Sequence, residues 1–167
     1  EIVSPVDGLV DYSLEVMSHL QGAYNSYIFD GKHWMLPIDD IHTSAVFYNK
    51  SIFELNDMET PRTLFERGEW TWDKLREYAL DLTVDADGDG IPERWGLGMV
   101  GWHRGRFALT TGENLVKIEG SNILSNLGSS NLERAYNFIF DLMLSDRVAS
   151  TNTDMFFVHT ALDTGEA

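Results

Sequence analysis

The stretch Asp85-Ala86-Asp87-Gly88-Asp89-Gly90-Ile91-Pro92-Glu93 determines how the middle of this 167-residue chain is organised. It holds four carboxylates and two glycines within nine residues, and three of the carboxylates stand at alternate positions. Carboxylates this close together repel one another, and a hard divalent cation bound through oxygen ligands relieves that repulsion. The stretch therefore predicts a cation-binding loop. The alternative is a solvated acidic turn, because Asp-Gly pairs also make turns without metal.

The spacing of these residues matches the first nine positions of the calcium loop of an EF-hand, with Gly90 as the turn glycine. The predicted ligands are the side chains of Asp85, Asp87, Asp89 and Glu93 and the backbone carbonyl of Ile91. The match ends at Gly96, which stands where an EF-hand has a bidentate glutamate. We therefore predict one structural Ca²⁺, bound with a dissociation constant on the order of 10⁻⁴ M.

The flanks of the acidic loop differ from those of an EF-hand. Thr71 is predicted to cap a helix over 72–83, with Asp73 at the positive end of the helix dipole. Residues 94–99 on the other side have the pattern of a short strand. Residues 101–106 combine a tryptophan, a histidine and two arginines between glycines, and we predict a loop there. The calcium-type loop thus connects a helix to a strand.

The amino-terminal part of the chain predicts one helix and three strands. Residues 11–24 have the apolar spacing of a helix. Residues 27–36 predict two strands joined by an Asp30-Gly31 turn. Residues 45–48 are a short apolar run, which predicts a buried strand.

Two capping boxes predict helix starts, at Ser51–Glu54 and at Ser130–Glu133. The first helix should be short, and residues 57–70 after it are predicted to form a loop that contains Pro61. The second helix should extend to about Ser145 on an apolar stripe.

The remaining segments predict a short helix over 107–112, a weak hairpin over 115–118 and 122–124, and a last helix after Thr153. Strands that alternate with helices indicate an α/β fold.

The composition excludes several classes of function. The net charge of −15 argues against binding to nucleic acid or to anionic membrane surfaces. The chain has no cysteine, which excludes disulfides and thiolate metal sites. No run of about 18 apolar residues is present to span a membrane.

Five motifs in the same order resemble the extracellular solute-binding proteins of ABC importers, in their sugar-binding group. They include Tyr48-Asn49-Lys50, Trp70-Thr71-Trp72 and Asp87-Gly88-Asp89-Gly90. Residues 29–37 resemble the strand pair of the family, and residues 154–167 resemble one of its helices. The resemblance as a whole covers the chain from about residue 7 to residue 167.

The resemblance implies an incomplete, periplasmic-binding-protein-like lobe of type II in a piece of a longer protein. Members have two α/β lobes joined by a hinge, with ligand in the cleft between them. Residues 1–35 are similar to the end of the first lobe, residues 36–45 to the hinge crossing, and residues 46–167 to most of the second lobe. The implied partners are an oligosaccharide and the membrane permease of the importer. The implied setting is a monomer in the periplasm or on the cell surface as a lipoprotein.

The resemblance also implies where ligand would bind. The candidate ligand-binding residues are Trp102, His103, Arg104, Asp40 and His42. The first three follow the predicted strand, where members present aromatic residues to ligand, and the other two lie on the hinge crossing. The alternatives are a surface loop whose tryptophan covers a helix end, and a solvated linker. Trp34, Trp72 and Trp95 are assigned to the core.

The sequence holds no sign of catalysis. It has no G-x-S-x-G motif, no phosphate-binding glycine loop and no histidines at zinc-ligand spacing. We therefore expect a binding protein and not an enzyme. The alternatives are a fragment of a secreted calcium-stabilised glycoside hydrolase or of an interaction module, although a dockerin-like module would need a second acidic loop.

Overall fold

The computed structural model describes residues 3–9, 11, 13–15, 20, 25, 27–36, 45–99, 101–120 and 122–150. The chain divides into two compact units, one of residues 1–44 and 116–125 and one of residues 45–115 and 126–167. Most of the helix predicted over 11–24, and all of the helix predicted after Thr153, lie outside the described residues. The assignment of the chain to lobes and hinge stays a prediction.

A tight hairpin in the smaller unit confirms the predicted Asp-Gly turn. Strand β1 (Ile28–Phe29) pairs antiparallel with β2 (Lys32–His33). The turn residues Asp30 and Gly31 have φ angles of 50° and 69°, the left-handed conformation that a two-residue type I′ turn requires.

The residues before this hairpin are tied to it by hydrogen bonds to β2. The backbone N–H of Val6 donates to the carbonyl of His33 over 2.8 Å. The Asp7 carboxylate accepts from the His33 backbone N–H and lies 2.9 Å from its Nδ1. The hydrogen bond to the His33 side chain lowers the pKa of Asp7.

A second hairpin confirms the prediction made for residues 115–124. Strand β3 (Val116–Glu119) pairs antiparallel with β4 (Asn122–Ser125), and Ile118 faces Ile123 in the register. All eight residues of the two strands are exposed.

The larger unit is built from helices. They are α1 (Lys50–Leu55), α2 (Pro61–Glu66), α3 (Trp72–Leu82), α4 (Gly101–Ala108) and α5 (Ser130–Phe140). A 3₁₀ turn over Leu109–Thr111 extends α4, and a π-type turn over Asp141–Ser145 extends α5. Within the described residues, no helix is both long and apolar enough to cross a membrane.

Helix α3 lies at the centre of the larger unit, because its residues contribute to each of three apolar clusters. Tyr78 and Leu82 pack with residues of α1 and α2. Ala79 packs with α5, the π-type turn and the segment after it. Trp72 packs against the cluster that joins α4 to α5. The apolar side chains of α3 therefore organise the packing of this unit.

Helix caps agree with the sequence at one helix and differ by one or two residues at two others. The Thr71 hydroxyl accepts from the Lys74 N–H and caps α3, as predicted. Helix α1 is capped by Asn49, whose side chain accepts from the Ser51 N–H. Helix α5 is capped by Ser129. Both predicted capping boxes were wrong, because an Asn or Ser side chain one or two residues earlier reaches the N–H of the first turn.

Two other predictions in this unit were wrong. Residues 45–48 form no strand, and Val46 and Phe47 are 56% and 76% exposed. None of the described segments runs beside them to accept the ladder hydrogen bonds of a strand. Residues 57–70 are not a continuous loop, because α2 begins at Pro61 after the N-cap Thr60.

The strand predicted over 94–99 is reduced to two isolated bridges. Arg94 pairs antiparallel with Val84, and Leu97 pairs in parallel with Ala149. The second bridge has two hydrogen bonds, from the Leu97 N–H to the Val148 carbonyl and from the Ser150 N–H to the Leu97 carbonyl. The Gly96 N–H donates to the Thr83 hydroxyl over 3.0 Å, so separate bonds hold residues 94–97 instead of a continuous ladder.

The tryptophans assigned to the core are only partly buried. Trp72 packs against the α4–α5 cluster, whereas Trp34 and Trp95 belong to none of the clusters formed by the described residues. The Trp34 indole donates to the Phe29 carbonyl over 2.9 Å. Trp70 packs on Tyr78 of α3, with ring centroids 5.9 Å apart.

Candidate functional site

The acidic loop is closed at its base by the residues on either side of it. Val84 and Arg94 exchange backbone hydrogen bonds of 2.9 and 3.2 Å. The Arg94 guanidinium also donates to the carbonyl of Leu82 at the end of α3, over 2.9 Å. The loop of residues 85–93 therefore begins and ends at the same place, directly after the carboxyl end of α3.

Three aspartates of this loop converge. Asp85, Asp87 and Asp89 each offer a carboxylate oxygen, and these oxygens lie within 4.8 Å of one another. Two oxygens on opposite sides of a Ca²⁺ are about 4.6–5.2 Å apart, since each Ca–O bond is about 2.3–2.6 Å long. All three aspartates are exposed to solvent. The hard, anionic oxygen donors present here therefore fit a calcium ion in both chemistry and spacing.

Backbone N–H groups hold the aspartates in this arrangement. Asp85 accepts from Gly88 over 2.8 Å and from Gly90 over 3.0 Å, one bond to each of its oxygens. The N–H groups two residues further on donate to Asp87 and Asp89 in the same way. Gly88 and Gly90 have φ angles of 74° and 83°, a conformation that favours glycine.

Glu93 lies at the edge of the arrangement. One of its carboxylate oxygens accepts from the Ala86 N–H over 2.7 Å. Among the described residues, the group of converging oxygens comprises the three aspartates, without Glu93. The predicted roles of Glu93 and of the Ile91 carbonyl as ligands stay predictions.

Gly96, at the position of the missing EF-hand glutamate, packs directly on α3. A Cβ atom added there would lie 1.9 Å from the Ala79 carbonyl oxygen. The Gly96 N–H donates to the Thr83 hydroxyl, which in turn donates to that same carbonyl. A glutamate therefore does not fit at this position, and the sequence departs from the EF-hand pattern for a packing reason.

A basic residue that the sequence did not associate with the loop lies against it. The Arg147 Nη1 atom is 2.9 Å from the point where a Cβ on Gly90 would stand. Arg147 follows the π-type turn, and its own φ angle is 53°. No local pattern could have revealed this contact, because the two residues are far apart in sequence.

The residues predicted to bind ligand are only partly described. Trp102, His103 and Arg104 are consecutive on α4, so the predicted loop over 101–106 was wrong. Arg104 is half-buried, whereas the side chains of Trp102 and His103 lie outside the described part. Asp40 and His42 also lie outside it. The assignment of all five to a ligand site stays a prediction.

Helix α4 is held through its carboxyl end. Phe107 packs on Trp72 and Phe138 with ring centroids 5.0 and 5.7 Å away. Ala108 is fully buried in the cluster with α5, and the Arg134 guanidinium lies over the Trp72 ring. This packing explains why a segment with two glycines forms a helix, since tertiary contacts override weak propensity.

The fold is that of the periplasmic-binding-protein class. The structure superimposes on the maltose/maltodextrin-binding domain MalE from Bdellovibrio bacteriovorus, which was solved with maltotriose bound, with a TM-score of 0.58 and 22% sequence identity. The match covers 99% of this chain and 39% of the MalE chain. The chain therefore spans about two fifths of the length of that protein.

The sequence places the chain more specifically within this class. The family model of bacterial extracellular solute-binding proteins matches residues 5–139. The chain belongs to this family. None of the curated proteins matches the chain.

Proposed function

We propose that the full-length protein is the substrate-binding subunit of an ABC-type carbohydrate importer. It captures an oligosaccharide between two lobes and delivers it to a membrane permease, without converting it. The family match over residues 5–139 carries this proposal. The likeness in fold to a maltodextrin-binding domain favours a carbohydrate among the possible solutes. The protein acts as a monomer outside the cytoplasm, in the periplasm or anchored as a lipoprotein.

In this proposal residues 46–167 supply most of one wall of the cleft, and residues 36–45 cross the hinge. Trp102 offers an aromatic face to the C–H-rich face of a sugar. His103, Arg104, Asp40 and His42 supply polar groups for its hydroxyls, because a binding cleft needs a few placed polar groups among apolar ones. Closure of two lobes around the sugar is the hinge motion expected of such proteins.

The experiment is a calorimetric titration of the full-length protein with each member of a panel of glycans. Tight binding to an oligosaccharide with no release of reducing ends supports the proposal. Release of reducing ends would make the protein a glycoside hydrolase and overturn it. Binding to none of the glycans while another class of solute binds would also overturn the sugar assignment.

A single substitution tests the ligand site. Trp102→Ala in the full-length protein should weaken sugar binding by about 1–3 kcal/mol, the range found for aromatic stacking platforms. Trp102→Phe keeps an aromatic face and serves as the matched control, with a smaller loss. Equal affinities for wild type and Trp102→Ala would remove Trp102 from the site.

We also propose that the acidic loop binds one structural Ca²⁺ that joins α3 to the segment after it. Asp85, Asp87 and Asp89 hold the ion through their carboxylates, and Glu93 and the Ile91 carbonyl complete the set. The spacing of the aspartate oxygens within 4.8 Å supports this assignment. A cation there offsets repulsion between carboxylates that the backbone N–H groups of the loop keep close together.

Calorimetry with CaCl₂, and thermal melting with and without chelator, test this site. Binding at sub-millimolar to millimolar calcium and a higher melting temperature are expected. Asp87→Asn should abolish both effects while keeping an oxygen for the Asp89 N–H. Asp81→Asn, on α3 and outside the group of converging oxygens, removes the same charge and should change neither. No heat and no shift at millimolar calcium in the wild type would refute the site.

A further inference from the structure

Arg147 is held rigidly beside the acidic loop by the end of α5. In the π-type turn the Asp146 N–H donates to the Asp141 carbonyl over 2.8 Å. The Leu142 carbonyl then accepts from both Val148 and Ala149, over 2.9 and 3.1 Å. Arg147 stands between these anchors in the left-handed conformation, at φ 53°. Non-glycine residues adopt this conformation at a cost, so the surrounding bonds fix it.

The neighbours of Arg147 are also fixed, on two sides. Asp146 forms an ion pair of 2.6 Å with Arg76 of α3. Val148 and Ala149 are buried, and the parallel bridge to Leu97 holds them against the chain that leaves the acidic loop. Arg147 itself is exposed, and its guanidinium extends over Gly90. The fold thus places a positive charge at the acidic loop from a segment distant in sequence.

The loop does not need this arginine for its shape. Each of the three aspartates already accepts at least one backbone N–H of the loop. Among the described residues, Arg147 forms no ion pair within 4.0 Å, in contrast with Arg76 beside it. Its effect on the loop is therefore that of a nearby charge, and not that of a bonded partner.

We propose that Arg147 is a built-in counter-charge that competes with the cation for the acidic loop and sets its affinity. This inference rests on the proposed calcium site. Without metal, the guanidinium offsets part of the repulsion among the aspartates. With metal, it repels the ion. For a unit charge about 6–12 Å from a divalent ion in a water-like medium, Coulomb's law gives about a three- to tenfold weakening of Ca²⁺ binding at low ionic strength.

The test is a calcium titration of the full chain and its Arg147 variants in low salt. Arg147→Asn removes the charge with a residue that tolerates the left-handed conformation, and it should bind Ca²⁺ about three- to tenfold more tightly. Arg147→Lys keeps the charge and should bind as the wild type does. Arg62→Gln removes the same charge from α2, where Arg62 pairs with Glu66, and should leave the affinity unchanged.

Two further measurements distinguish an electrostatic effect of Arg147 from a structural effect of its replacement. In 1 M NaCl the gain of Arg147→Asn should nearly vanish, because the Debye length falls to about 3 Å. Binding of Tb³⁺ can be monitored by its luminescence. The gain in affinity of Arg147→Asn should be larger for Tb³⁺ than for Ca²⁺, since repulsion grows with the charge of the ion. A gain that persists in high salt, or that Arg147→Lys shares, would overturn the proposal.

The outcome also distinguishes this inference from the proposed site. If the wild type binds no calcium, the site itself is refuted, and the inference with it. If the wild type binds calcium and Arg147→Asn binds with the same affinity, the site stands and the role of Arg147 is refuted.

Discussion

Substitution of Gly96 by alanine tests how the acidic loop is fastened to α3. The added Cβ would stand 1.9 Å from the Ala79 carbonyl oxygen and 2.7 Å from its carbon. An ordinary contact between carbon and oxygen needs about 3.3 Å, so residue 96 must retreat from α3 by more than 1 Å (3.3 − 1.9 Å). The obstacle is helix backbone, which cannot move aside as a side chain can.

The retreat would break the hydrogen bond from the Gly96 N–H to the Thr83 hydroxyl and strain the two bonds of the Leu97 bridge. Each bond contributes about 0.5–1.5 kcal/mol, and overpacking adds about 1–3 kcal/mol. We therefore expect Gly96→Ala to lower the free energy of unfolding by about 3–5 kcal/mol.

Urea denaturation, monitored by circular dichroism, measures this change in the free energy of unfolding. Gly105→Ala is the matched control, because a Cβ on Gly105 meets no atom within 4 Å. Residue 105 lies inside helix α4, so alanine there should stabilise the protein by about 0.5–1 kcal/mol. A Gly96→Ala protein as stable as the wild type would show that residues 94–97 do not rest on α3 as described.

Leu132→Ala should cost about 2–5 kcal/mol in chemical denaturation, because the side chain is fully buried between α4 and α5; a cost under 1 kcal/mol would contradict that packing. Thr60→Ala should cost about 1 kcal/mol, because it removes the acceptor for the Thr63 N–H at the start of α2, and Thr60→Ser should restore it. Glu59→Gln should lower the melting temperature more at pH 7 than at pH 3. Arg67 holds the pKa of Glu59 below its ordinary value through their hydrogen bonds, so the pair stabilises above that value and its contribution is lost as pH falls through the lowered pKa; equal losses at both pH values would contradict this role.

Features set by neighbouring residues were predicted in part. The Asp30-Gly31 hairpin and the Thr71 cap each depend on interactions within a few residues, and both are confirmed. The missed helix α2 also carried a local signal, since Thr60 followed by Pro61 is an N-cap with proline in the first turn. The caps of α1 and α5 were displaced because several adjacent side chains could accept the same N–H.

Features set by distant residues were predicted poorly. Residues 45–48 have the composition of a strand, but a strand exists only where a neighbour pairs with it. Helix α4 forms despite two glycines, because Phe107 and Ala108 dock against other helices. Composition contains neither kind of information.

The candidate cation site also has features that neighbouring residues set and features that distant residues set. The three aspartates and their turn glycines were evident from spacing alone, since the loop makes its own hydrogen bonds. The reason for glycine at position 96 and the approach of Arg147 both come from other parts of the fold. Residues of a cleft between two lobes depend on still more of the chain.

The ion pair between Arg76 and Asp146 joins residues 70 positions apart, and this separation orders events on the ribosome. The capped helix α3 and the closed acidic loop are complete once residue 96 is made. About 50 more residues must be added before Asp146 is made, which takes about 3–10 s at about 5–20 residues per second. During that interval the side of α3 that carries Ala79 lacks its cover. A nascent chain therefore exposes this apolar side of α3 for several seconds before the residues that cover it are made.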